Sequence, residues 1–255
     1  MEINISKDSQ QLGKAAGNAA AELIRNAIKA NGSANVIFAT GTSQFETLKE
    51  IISQKGIDWG KVVMFHLDEY IGLPITSPAS FRKYLLDRLL SKLPPFKATH
   101  LINGESDPKK ECARLNALIQ KHPIDLALAG IGENGHLAFN DPPADFEIED
   151  PYIVVTLDAL CRKQQLGEGW FKSIEDVPTQ AISMSIKQIL KSKNIICSVP
   201  DERKAMAVAN TLKNPVSKDY PASILQLHAN CTLYLDELSA SEISQDFQNP
   251  IHMQH

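Results

Sequence analysis

His136 stands in a glycine-rich segment, Gly130-Ile131-Gly132-Glu133-Asn134-Gly135-His136-Leu137-Ala138-Phe139-Asn140-Asp141-Pro142, that follows an apolar run ending at Ala129. An imidazole changes charge near neutrality, so it can take a proton and return it at physiological pH. Asn134 and Asp141 lie close enough along the chain to fix its tautomer or to stabilise an imidazolium. The surrounding backbone N–H groups could donate to a developing oxyanion. A lone histidine after a strand also has a plain structural reading, and the two polar neighbours are what favour chemistry.

Three further groups could act with it. Asp68-Glu69-Tyr70 follows the apolar Val62-Val63-Met64-Phe65 and places two carboxylates beside a phenol. A partly desolvated carboxylate, its pKa raised, can remove a proton from carbon next to a carbonyl; otherwise such a pair is surface acids or a helix cap. Thr40-Gly41-Thr42-Ser43 lies between an apolar run and a helical one. Unpaired N–H groups at the helix start, a glycine and hydroxyls suit a phosphate, as they also suit a hydroxyl-capped turn. This is neither a P-loop nor a dinucleotide fingerprint. Arg203-Lys204 falls in the first turn of a helix, where cations oppose the helix dipole unless an anion is bound or water screens them.

These groups need strands that deliver them to one place. The pattern predicts a helix over 7–30, ended by Asn31-Gly32, and a strand at Val36–Ala39 leading to a helix over Gln44–Gln54. Strands are expected at Val62–Phe65, Ile124–Ala129, Ile153–Leu157, Asn194–Val199 and Cys231–Leu235, with helices around 80–91 and 108–121. Short apolar strands alternating with helices predict an α/β fold, one doubly wound, Rossmann-like, mostly parallel sheet with helices on both faces. In such sheets ligands bind at the carboxyl ends of the strands. Residues 1–238 read as one domain, and the polar 239–255 as a loose tail.

Composition narrows the partners. A net charge of −4 without a dense Lys/Arg block argues against nucleic acid. No apolar run reaches the roughly 18 residues of a membrane span, and Met1-Glu2-Ile3-Asn4 lacks a signal-peptide pattern. Cys112, Cys161, Cys197 and Cys231 have no CxxC spacing. They are expected as reduced thiols in a cytoplasmic protein, with neither a disulfide framework nor a zinc site.

Together these segments resemble glucosamine-6-phosphate deaminase, also called glucosamine-6-phosphate isomerase, in the superfamily shared with 6-phosphogluconolactonase. The resemblance covers roughly residues 10–238. It is carried by Phe65-His66-Leu67-Asp68-Glu69-Tyr70-Ile71-Gly72-Leu73-Pro74, the Gly130–Pro142 loop and Glu202-Arg203-Lys204-Ala205. Ser80-Phe81, Val177-Pro178 and Ile224-Leu225-Gln226-Leu227-His228 agree. Gly-His-Leu-Ala-Phe-Asn is on the deaminase side, where lactonases usually carry Gly-His-Thr-Ala-Ser.

The resemblance implies conversion of an aminohexose 6-phosphate to a ketose 6-phosphate plus ammonia, without metal or organic cofactor. It implies that Asp68 moves a proton between C2 and C1, and that His136 assists ring opening. Asp141 takes the place of a glutamate that partners this histidine, and Asn134 a place held by aspartate or asparagine. Gly41, Thr42 and Lys204 match phosphate-binding positions, with Ser43 beside them. Glu69 belongs to the motif without an assigned chemical role.

Three departures stand out. Asp141 is one methylene shorter than glutamate. The family often has an arginine before a Phe-Phe pair to bind phosphate, whereas here Gly169 precedes Trp170-Phe171, leaving either Arg162 or Arg203 to compensate or Gly167-Glu168-Gly169-Trp170 to form a changed lid that selects a different sugar. The stretch 144–150, basic in allosterically regulated bacterial enzymes, is acidic here. The alternatives are another isomerase or a lactonase of a sugar phosphate, or a non-catalytic sugar-phosphate sensor. The oligomeric state is open, a homo-oligomer included.

Overall fold

The computed structural model describes residues 1–243. Its strands are β1 (Glu2–Ser6), β2 (Ala34–Phe38), β3 (Val62–His66), β4 (Asp68–Tyr70), β5 (Ala98–Thr99), β6 (Leu126–Ala129), β7 (Tyr152–Thr156), β8 (Gln180–Met184), β9 (Ile195–Val199) and β10 (Cys231–Asp236). Its helices are α1 (Ser9–Asn31), α2 (Phe45–Ser53), α3 (Phe81–Arg88), α4 (Pro108–Ile119), α5 (Ala159–Gly167), α6 (Ile186–Leu190) and α7 (Ala205–Lys213).

Seven strands form one sheet in the order β1-β10-β9-β6-β2-β3-β5, and every pairing in it is parallel. Every residue of β3, β6 and β9 is buried. A parallel strand covered on both faces must be apolar throughout, which is why these three were legible as continuous runs. From β2 the chain winds outward through β3 to β5, then returns to place β6 on the other side of β2. Because crossovers are right-handed, this reversal puts the connecting helices on opposite faces. It also leaves a crevice beyond the carboxyl ends of β2 and β6.

The expected α/β class and parallel sheet are found, with one addition. A second, antiparallel sheet has the order β4-β8-β7. The strand expected at Ile153–Leu157 is β7 of this smaller sheet and not part of the main one. Its half-exposed alternation fits a sheet that is covered on one face only. β1, β4, β5, β8, α5 and α6 were not anticipated. Each is short, at an edge, or without a clean apolar period.

Of the expected loose tail, residues 239–243 are packed: Ser239, Ala240 and Ile243 are buried against the core, and Asp236 accepts from the Ser239 amide at 2.8 Å. The remainder, 244–255, lies outside the described residues. The four cysteines are buried and free. Among the described residues no helix is long and apolar enough to cross a membrane.

Candidate active site

At the crevice beyond β2 and β6 lies a cleft of about 580 Å³, counted out to its open mouth. Six of the residues singled out from sequence line it together: Gly41, Thr42, Ser43, Asp68, His136 and Lys204. They leave the carboxyl ends of four neighbouring strands, β2, β3, β6 and β9. Gln44 ties the entrance of α2 to those strand ends, donating to the Ala129 carbonyl at 3.1 Å and approaching that of Ser198 at 3.4 Å.

His136 is buried and packs directly over Gly132. A Cβ at that glycine would stand 2.3 Å from the imidazole ring, so only glycine fits. Behind the ring, Asp141 places Oδ1 3.1 Å from His136 Nδ1. The contact is off-axis, so Nδ1 makes no aligned hydrogen bond, and the charge proximity is what the pair retains. Asp141 is itself fixed, accepting from the Asn134 amide group at 3.0 Å and from the Asp158 backbone N–H at 3.0 Å. Burial alone would raise its carboxyl; His136, Asn134 and the Asp158 amide outweigh burial and hold it below the usual range. Asn134 and Asp141 thus sit behind His136 rather than on the cleft wall.

Cys161 brings its sulfur into the same cluster, within 4.8 Å of the His136 and Asp141 ligand atoms. Burial, then Asp141, push its thiol far up and keep it protonated.

Asp68 begins β4 opposite Ser183 of β8, so the second sheet aims it. It is 7 % exposed, on the cleft wall. Burial, then Glu69 and Glu168, push its carboxyl up to about 8. Its neighbour Glu69 points the other way and is fully buried. Glu69 accepts from the Ser80 hydroxyl at 2.7 Å, the Arg82 amide at 2.8 Å and the Tyr70 amide at 2.9 Å. It also pairs with the Arg82 guanidinium at 3.3 Å. Glu69 therefore caps α3 and anchors the strand that carries Asp68. The alternation of side chains along a strand assigns one carboxylate to each face.

The Gly41 turn has φ +91, a conformation suited to glycine, and the Tyr84 hydroxyl holds its carbonyl at 2.9 Å. Lys204 reaches the cleft from the turn after β9 and is 6 % exposed. Burial lowers its pKa, and Glu168 is the foremost opposing influence. Arg203 does not join it: the guanidinium pairs with Asp201 at 2.9 Å and Glu133 at 3.6 Å, outside the cleft lining. Arg162 does not join it either, because its guanidinium donates to the carbonyls of Ile174 and Val177 and braces the segment after α5. Both compensations for the missing arginine are thereby corrected. An arginine is drawn to whatever unpaired acceptors surround it, and here those are local.

α5 also supplies two cleft residues that sequence reading passed over, Gln164 and Gln165, and just beyond it Glu168, from the segment expected as a changed lid, lines the cleft too. Gln165 accepts from the Tyr70 hydroxyl at 2.7 Å and Gln164 from the Glu133 amide at 2.7 Å. These bonds seat α5 on both β4 and the His136 loop. The only available signal was the unusual Gly167-Glu168-Gly169, whose direction in space no local pattern gives.

Residues 7–234 match the family model described as glucosamine-6-phosphate isomerases/6-phosphogluconolactonase. A glucosamine-6-phosphate deaminase of Lactobacillus delbrueckii subsp. bulgaricus is 34% identical over 242 residues, covering 94% of this chain and 99% of that one. One from Streptococcus pneumoniae is 38% identical over 221 residues, covering 86% and 91%. The solved structure of a monomeric glucosamine-6-phosphate deaminase superposes with a TM-score of 0.85 at 31% identity, covering 95% of this chain and 100% of that chain. The chain belongs to the family of glucosamine-6-phosphate isomerases and 6-phosphogluconolactonases.

Proposed function

We propose that this protein converts glucosamine 6-phosphate to fructose 6-phosphate and ammonia. The observation that carries the reading is the convergence of Asp68, His136 and Lys204, from three different strand ends, on one cleft with the Gly41–Ser43 turn.

The phosphate is held by the turn's N–H and hydroxyl groups and by Lys204, which anchors the far end of the sugar and orients the near end. His136, supported by Asp141, moves a proton from the O1 hydroxyl to the ring oxygen, opening the pyranose to an aldehyde. Asp68 as carboxylate then removes the proton at C2, which the adjacent carbonyl acidifies. Loop amides and the cleft dipoles stabilise the oxyanion of the enolamine. Asp68 returns the proton to C1, and water hydrolyses the resulting C2 imine to the ketose and ammonia. A carboxylate that serves both carbons from one side needs no second base. The reading includes a cytoplasmic location, argued from the free thiols.

Ammonia and ketose phosphate, measured in parallel on glucosamine 6-phosphate, should appear in equal amounts. Ketose without ammonia would make the protein a different isomerase, and binding without either product would make it a sensor.

A further inference from the structure

Two acidic side chains line the cleft, Asp68 and Glu168. Proton transfer uses the first and leaves the second unexplained. Glu168 stands over the Gly41 turn: its Oε2 is 3.9 Å from where a Cβ would project on Gly41. Its Oε1 accepts from the Gln164 amide group at 3.1 Å, and Gln164 is itself fixed by the Glu133 N–H. The carboxylate is therefore aimed inward. The ion pairs of the turn after β9 belong to Arg203, which leaves Lys204 facing the cleft that Glu168 enters.

We infer that Glu168 tunes anion binding: its carboxylate stands over the anion cradle and competes with incoming phosphate for Lys204 and the Gly41–Ser43 turn. The inference rests on the cradle reading given above. A phosphate and a carboxylate cannot share so small a cationic site without repulsion in a partly desolvated cleft. Glu168 must then swing aside, and its setting permits this: glycines flank it, Gly169 at φ +82, and a Cβ on either would meet nothing within 4 Å. The cost of displacing Glu168 falls equally on free phosphate and on a sugar phosphate, so both bind more weakly by the same factor. A sugar phosphate keeps useful affinity through its contacts from the sugar, whereas free phosphate has the cradle alone. Glu168 thus lowers the occupancy of the cleft by bare anions.

Calorimetric titration of the full chain with inorganic phosphate tests this without any turnover. Glu168→Gln should bind phosphate about tenfold tighter than the parent, with Glu168→Asp in between. The Gln variant should also lower KM for glucosamine 6-phosphate by a similar factor. Unchanged or weaker phosphate binding in Glu168→Gln would overturn the inference. So would a raised KM for the amino sugar alone, since Glu168 would then be reading the ammonium group. Lys204→Ala separates the two levels: if phosphate binding survives it, the cradle reading fails, whatever Glu168 does.

Discussion

His136 Nδ1 and Asp141 Oδ1 are 3.1 Å apart although the carboxylate is one methylene shorter than the family's usual glutamate. The loop supplies the missing reach, with Asn134 and the Asp158 amide holding the carboxylate against the ring. Replacing Asp141 by Asn keeps the shape and removes the charge that stabilises an imidazolium. Turnover on the cyclic sugar should fall about 10- to 100-fold. A variant with parental kcat would remove Asp141 from the mechanism.

His136→Ala should cost less on a substrate supplied in open-chain form than on the pyranose, because only the pyranose needs opening. Rates on both forms decide it, and equal losses argue against the ring-opening role.

Asp68→Asn should reduce kcat about a thousandfold or more with the fold intact. In the parent, a base whose carboxyl is pushed up to about 8 makes kcat/KM rise with pH through that region and then level. The stability effect has the opposite sense. The folded state binds this proton more tightly than the unfolded chain, so the parent's stability is full below pH about 4 and falls as pH rises to about 8. Asp68→Asn lacks that slope. Its advantage over the parent should grow between pH 5 and pH 8.5, reaching on the order of 4 kcal/mol. Denaturant melts at the two pH values that gave the same difference would contradict the burial of Asp68.

Glu69→Ala should damage stability rather than chemistry as such. It strips the Ser80 and Arg82 donors of their acceptor and leaves Arg82 with Glu105 as its remaining ion-pair partner. Breaking a buried pair of this kind costs about 3 kcal/mol, roughly 6–12 °C in Tm for a chain of this size. A melting temperature within a degree of the parent would refute the capping role.

Saturation by glucosamine 6-phosphate should be hyperbolic and indifferent to an N-acetylaminosugar phosphate. In the acidic 144–150 stretch, Glu149 and Glu147 take up Lys187 at 2.6 and 3.3 Å. Lys187 is thereby paired within the protein instead of being offered to an anionic effector. Sigmoidal kinetics relieved by such an effector would overturn the expectation.

By itself the sequence determined the parallel sheet and the residues at its carboxyl edge. Runs such as Leu126–Ala129 and Ile195–Val199 are buried on both faces, and burial of that kind leaves a local, continuous apolar record. Asp68, His136, Gly41 and Lys204 follow such runs directly, so their place at the strand ends could be read from the chain. Tertiary structure alone decided where the remaining side chains point. Glu69 and Asp68 are adjacent, yet only the pairing of β4 with β8, far along the chain, assigns one to the cleft and the other to the α3 cap. Arg162 turns to the Ile174 and Val177 carbonyls, while Glu168 turns inward over Gly41. A long side chain settles on the nearest unsatisfied partner, and which partner is near is a property of the assembled fold.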